Sequence, residues 1–184
     1  PVIFGIRTIM ESKLWTIALI QIDRALNASP DPSLREALLS LKSECELHLA
    51  LEYLVDARRK PEERIALYDM ADRLATVALG SARTGKAPTL KRMAQIILAE
   101  VFTLTNCPER AVKMLLPLLA MGSLDHTTLI RAARPFFGDV IRHVGDILEQ
   151  GALEALKIAG RHGDFGTAKI AFEYIFRYAN HEYA

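Results

Sequence analysis

Cys45, His48 and Glu52 fall three and four residues apart, close enough on one helical face for an imidazole to meet a thiol. That pairing is where thiol nucleophiles begin, because a neighbouring base makes the thiolate accessible. The residues around Cys45 are largely apolar, however, and suit a packing thiol beside a histidine at the edge of the core. Asp139, His143 and Asp146 form a second constellation, at spacings that place up to three metal ligands on one face of a helix. The same face lies opposite Val140, Val144 and Ile147, as a solvated strip with local ion pairing would. Gly80, Gly85 and Lys86 have the spacing of a phosphate-binding loop, whose chemistry also needs a preceding strand, a following helix and a hydroxyl after the lysine. Ala87 occupies the hydroxyl position and a helical pattern precedes, so residues 80–88 read as a flexible basic linker. His162, just before Asp164, reads as a surface or capping residue of a turn. No HExxH, GxSxG or paired-acid pattern occurs. The expectation is a protein without catalytic residues, cofactor or metal.

Composition narrows the classes further. Twenty-three basic and 22 acidic residues give a net charge of +1, so no long-range field favours nucleic acid or an anionic membrane. The cations at Arg58, Arg59, Lys60, Arg83, Lys86, Lys91 and Arg92 lack interleaved aromatics and read as solvated helix ends. A 51% apolar and 24% charged composition over 184 residues predicts one globular domain, residues 1–184, with a substantial core. Two isolated cysteines, Cys45 and Cys107, offer no disulfide framework and point to an intracellular, cytoplasmic protein. No apolar run is long enough for a membrane span. A chain opening on Pro1 is expected to be a processed or excised segment.

The elements that would position these residues are helices throughout. Ala18, Ile22 and Ala25 mark a first amphipathic helix, which residues 29–33 stop, and Asp31 before Pro32 signals the next start. A long helix follows from Pro32 to Arg59, with Leu34, Leu38, Leu41, Cys45 and Leu49 inward and Arg35, Lys42 and Glu46 outward. A third begins at Pro61 and is expected to end on Gly80. Met93, Ile97, Val101 and Leu104 then recur at helical spacing. Asn106 and Pro108 punctuate the pattern before Ala111, Leu115 and Leu118 resume it. Pro117 and Pro135 each kink or end a helix, Gly151 ends another, and Ala152–Ala159 forms a short one.

The segment Leu98, Ala99, Phe102, then Ala111, Leu115 resembles a tetratricopeptide repeat, in which a small residue and an aromatic of one helix meet a small residue of the next. ALNASP around Ala25–Pro30, KPE at Lys60–Glu62 and GDFGTA at Gly163–Ala168 are similar to further pieces of that pattern. Arg64 stands where a small residue belongs, and the recurrences are wider than the family period of about 34 residues. The resemblance implies an all-α fold of stacked antiparallel helical hairpins, a tetratricopeptide-like solenoid. It implies a scaffold or adaptor whose groove holds a peptide or partner helix, lined by Tyr53, Asp56, Glu100, Thr103 and Lys157.

The last helix suggests the alternative, a structural subunit of a larger assembly. Ala168, Ala171, Phe172, Ile175 and Ala179 make one apolar face, and Ile170, Tyr174 and Tyr178 make a second. Only Lys169, Glu173, Arg177 and Asn180 form a polar strip, narrow for the terminal unit of a solenoid. The aromatic face at Ile170, Tyr174 and Tyr178 is therefore expected either to be covered by the earlier helices folding back over it or to meet a further stretch of chain, a ligand or another subunit, as in a homo- or hetero-oligomer.

Overall fold

The computed structural model describes residues 1–28, 30–121, 123–138 and 143–182, and for residues 123–126 and 178–182 the backbone alone. The described residues form helices and their connections, with no strand among them. Packing divides the chain into two compact units, Pro1–Ile97 and Leu98–Ala184.

In the first unit, α1 (Val2–Glu11), α2 (Trp15–Asn27), α3 (Pro32–Arg59) and α4 (Arg64–Thr84) pack each on the next. Ile6 and Met10 of α1, Ala18 and Ile22 of α2, and Leu38, Leu41 and Cys45 of α3 share one core. The restart at α3 follows the expected chemistry: the Asp31 carboxylate accepts from the Leu34 amide at 3.0 Å, and Pro32 occupies the first turn without wasting a donor. Trp15 stacks on His48 with ring centroids 4.1 Å apart, while its indole N–H donates to Glu52 at 2.9 Å.

The α3–α4 seam departs from the sequence reading. Ala71, Ala75 and Ala78 are wholly buried and let the two backbones approach. Into that seam α3 sends polar groups. Ser43 donates to the Ala78 carbonyl at 2.9 Å, and Ser81 donates to Glu46 Oε2 at 3.2 Å. Glu46, expected on the outer face with Arg35 and Lys42, is only 3% exposed. A three-in-seven pattern cannot distinguish the two flanks of a helix that is covered on both sides. Burial pushes its carboxyl up to about 7, with Lys42 and the Ser81 hydrogen bond opposing the shift and Asp23 adding to it.

Residues 80–88 are not a linker. Helix α4 continues through Gly80 to Thr84, Gly85 caps it, and α5 (Pro88–Leu104) begins three residues later. Gly85 is there for space: a Cβ would stand 2.9 Å from the Ser40 nitrogen and 3.0 Å from the Glu36 carbonyl oxygen. Both obstacles are backbone, which cannot rotate away. Beside it, Lys86 Nζ pairs with Glu36 at 2.5 Å. Gly85→Ala is expected to destabilise the protein by about 1–3 kcal/mol through overpacking, read as a lower denaturant midpoint at unchanged slope.

In the second unit, α6 (Pro108–Leu119), α7 (Ser123–Phe137), α8 (Val144–His162) and α9 (Phe165–Glu182) follow the end of α5. Helix α6 packs on α8 and α9, α8 on α9, and α7 on α9. The break between α5 and α6 lies where Asn106 and Pro108 put it. Asn106 takes a left-handed φ of 58°, which asparagine tolerates, and Pro108 starts the new helix. Pro117 lies inside α6, two residues before its end, and Pro135 lies likewise within α7. Gly151, expected to end a helix, instead sits inside α8, so Ala152–Ala159 is part of a longer element. Gly163, with φ 67°, closes α8 in the left-handed conformation. Asp164 then caps α9 by accepting from the Thr167 amide at 3.1 Å and its hydroxyl at 2.6 Å. Those two bonds hold its carboxyl below the usual carboxylate range.

Candidate binding groove

The second unit contains an open cavity of about 530 Å³ lined from α5, α6 and α8. Its floor is apolar. Ala111, Val112 and Leu115 supply the buried base, and Leu104 and Leu153, both nearly half exposed, stand at its sides. Gly151 deepens the floor on the α8 side, because a Cβ there would fall 2.2 Å from Leu115 Cδ1. The missing methyl lets the leucine side chain nest against α8.

The rim is polar and carries both signs. Glu100 and Thr103 come from α5, Asn106 from the turn, and Gln150, Glu154 and Lys157 from α8. Thr103 donates its hydroxyl to the Ala99 carbonyl at 2.9 Å. Lys157 Nζ lies 3.2 Å from Glu154 Oε2, an ion pair three residues apart whose lysine remains 64% exposed. Such a pair is worth little by itself and exchanges readily for a ligand carboxylate or carbonyl. Two further contacts brace the walls. Arg110 covers the Phe102 ring at 4.0 Å, and His162 Nε2 lies 3.7 Å from Glu109 Oε1 between the ends of α8 and α6.

Three of the five residues expected to line a groove, Glu100, Thr103 and Lys157, thus meet in one cavity. Tyr53 and Asp56 do not join it. Both lie half-buried on α3 in the first unit. The sequence does not single out Gln150, Gly151 and Glu154; a helix end expected at Gly151 separates Gln150 from the segment that carries Lys157, whereas in the structure one helix carries all of them. Their signal was present in the sequence as the Glu154–Lys157 pair beside an out-of-stripe Leu153.

On the aromatic face of α9, the alternative in which other helices cover it is the one that fits Tyr174. Tyr174 is buried at 1% exposure and Ile170 is half-buried, so neither presents an open assembly surface, and the Tyr178 side chain lies outside the described residues. The outward aromatics are Phe165, Phe172 and Phe176. The helix is rotated about its axis relative to the sequence reading, with Ala171 and Tyr174 inward.

The other constellations resolve by packing. Cys45 is wholly buried, and burial together with the adjacent Glu44 and Glu46 pushes its thiol up to about 12, so it is a protonated core residue at neutral pH. His48 is occupied by the Trp15 stack. His143 Nδ1 lies 3.6 Å from Asp146, while Asp139 falls outside the described residues. Among the described residues no group of three or more His, Cys, Asp or Glu is placed to hold a metal ion. Nor is any described helix long and apolar enough to cross a membrane. Comparison with protein-family models, with curated proteins and with solved structures finds no match.

Proposed function

We propose that this chain is a non-catalytic interaction module that holds an extended peptide or a partner helix in the groove of its second unit. The observation that carries the proposal is the convergence of Glu100, Thr103 and Lys157 around an open apolar floor. A partner helix would set leucine-like anchors, spaced three to four residues apart, over Leu104, Leu115 and Leu153. Glu100 and Lys157 would then fix its direction, since opposite charges on the rim accept only one orientation of a charged ligand. A tetratricopeptide-like stack of hairpins is part of the same proposal, supported by the buried small residues Ala18, Ala99 and Ala111 at helix contacts. An intracellular place of action fits the two free cysteines.

The test is a displayed library of random peptides selected on the full chain. Bound sequences are then measured by fluorescence anisotropy against wild type and the Glu100→Ala, Thr103→Ala, Lys157→Ala triple variant. The expected result is at least a roughly tenfold loss of affinity, about 1.4 kcal/mol, with an unchanged melting temperature. Peptides that bind both proteins equally would place the interaction elsewhere.

A further inference from the structure

We infer that α9 is a homodimer contact, in which two copies of this helix lie antiparallel across a twofold axis near Ala171. The fold uses only one side of α9. Ala171 and Tyr174 seat it against its neighbours, whereas Phe165, Phe172 and Phe176 are 87%, 62% and 60% exposed. These three recur at i, i+7 and i+11 and therefore form one stripe. The Phe172 and Phe176 rings already lie near-parallel, with centroids 6.4 Å apart. Three outward phenylalanines along one stripe, two of them in ring contact, are unlike the single exposed apolar residues that every surface carries.

The order of residues along the stripe identifies the occupant as a second copy. Lys169 and Glu173 flank the aromatics, both exposed and 4.0 Å apart within the helix. Turning one copy end for end about an axis near Ala171 sets Lys169 against the partner's Glu173, and Glu173 against the partner's Lys169. The same rotation sets Phe165 on the partner's Phe176 and brings the two copies of Phe172 together at the axis. Every exposed group of the stripe meets its complement, the self-complementarity that an isologous interface requires. A parallel pairing would carry the two copies of this charged flank to opposite sides of the contact, leaving Lys169 and Glu173 without an opposite charge across it. An anionic membrane is disfavoured by the glutamate within the aromatic face.

The size of the contact sets its strength. The three rings, each offering roughly 150–250 Å² when fully buried, and the stems of Lys169 and Glu173 fall short of the roughly 800 Å² per partner of a standard interface. The contact therefore belongs with the weak, concentration-dependent associations. The groove residues take no part in it, so the two proposals stand or fall separately.

The test is sedimentation velocity of the full chain from low to high micromolar concentration. Wild type is expected to pass from monomer to dimer, and Phe172→Asp to remain monomeric with an unchanged melting temperature. Lys169→Glu and Glu173→Lys should each be monomeric, since each brings like charges together twice. Mixed, they should form a one-to-one heterodimer, because a copy with two acids then faces a copy with two bases. Misfolded chains would not recover association in this way. The inference is overturned by a wild type that stays monomeric, by a dimer that tolerates Phe172→Asp, or by single charge variants whose mixture does not associate.

Discussion

Glu46→Gln is expected to make the protein more stable at pH 8, by about 2–3 kcal/mol, while changing little at pH 4.5. The argument follows the proton. Glu46 lies in the α3–α4 seam at 3% exposure, and burial raises its carboxyl to about 7. In the unfolded chain the same carboxyl ionises in the ordinary range near 4.5. The folded state therefore binds the proton more tightly, and its stability is greatest where both states are protonated. As pH rises from about 4.5 through 7, the unfolded chain gains by ionising first and folding stability falls. Lys42 and Ser81 reduce the penalty without removing it, since Lys42 is itself paired with Asp23 at 2.6 Å. Glutamine keeps an oxygen for the Ser81 hydroxyl and has no charge to bury. Glu44, also raised by burial, should leave the variant a smaller slope in the same direction. Denaturant midpoints across this range would measure the effect, and a flat wild-type profile would refute it.

That seam marks where the sequence is most informative and where it stops. Helix starts are local chemistry, and Asp31–Pro32 and Asn106–Pro108 announce theirs within a few residues. Helix ends at glycine are not local. Gly80 and Gly151 are also helix-compatible, and the structure carries α4 and α8 straight through both because tertiary contacts outweigh the roughly 1 kcal/mol that glycine costs there. Gly151 then serves the groove, by the close approach of Leu115. The rotational setting of a nearly all-apolar helix is equally hidden. In α9 the aromatics lie on more than one side, and only the neighbours decide that Tyr174 turns in and Phe172 turns out. Glu100, Thr103 and Lys157 are reached from the sequence only through the repeat resemblance, whose groove positions they match, and the three line one cavity. Tyr53 and Asp56 come from the same resemblance but lie outside that cavity, since a match on one helix says nothing about which other helices face it.

Tyr174→Ala should cost about 3–5 kcal/mol, the loss typical of removing a buried aromatic ring. Tyr174 is the largest of the fully buried side chains, and α9, which carries it, packs against α6, α7 and α8. The space left behind cannot close easily, because a packed interior relaxes only in part around a cavity the size of an aromatic ring. Tyr174→Glu would cost more, since it adds an ionisable group with no water to hold its charge. Phe172→Asp and Phe176→Asp each lie only two positions from Tyr174, on either side of it, yet the expected outcomes are opposite. Both phenylalanine variants replace outward rings and should melt as wild type does. The contrast is measurable by guanidinium denaturation followed by far-UV circular dichroism. It also reaches the groove. Helix α8 supplies Gly151, Glu154 and Lys157 to that cavity and leans on α9, so Tyr174→Ala should weaken peptide binding along with the fold. Phe172→Asp should leave peptide binding intact while abolishing self-association. A Tyr174→Ala protein as stable as wild type would mean that the ring is not the anchor of α9. Loss of peptide binding in Phe172→Asp would mean that the outer face of α9, rather than the groove, holds the ligand.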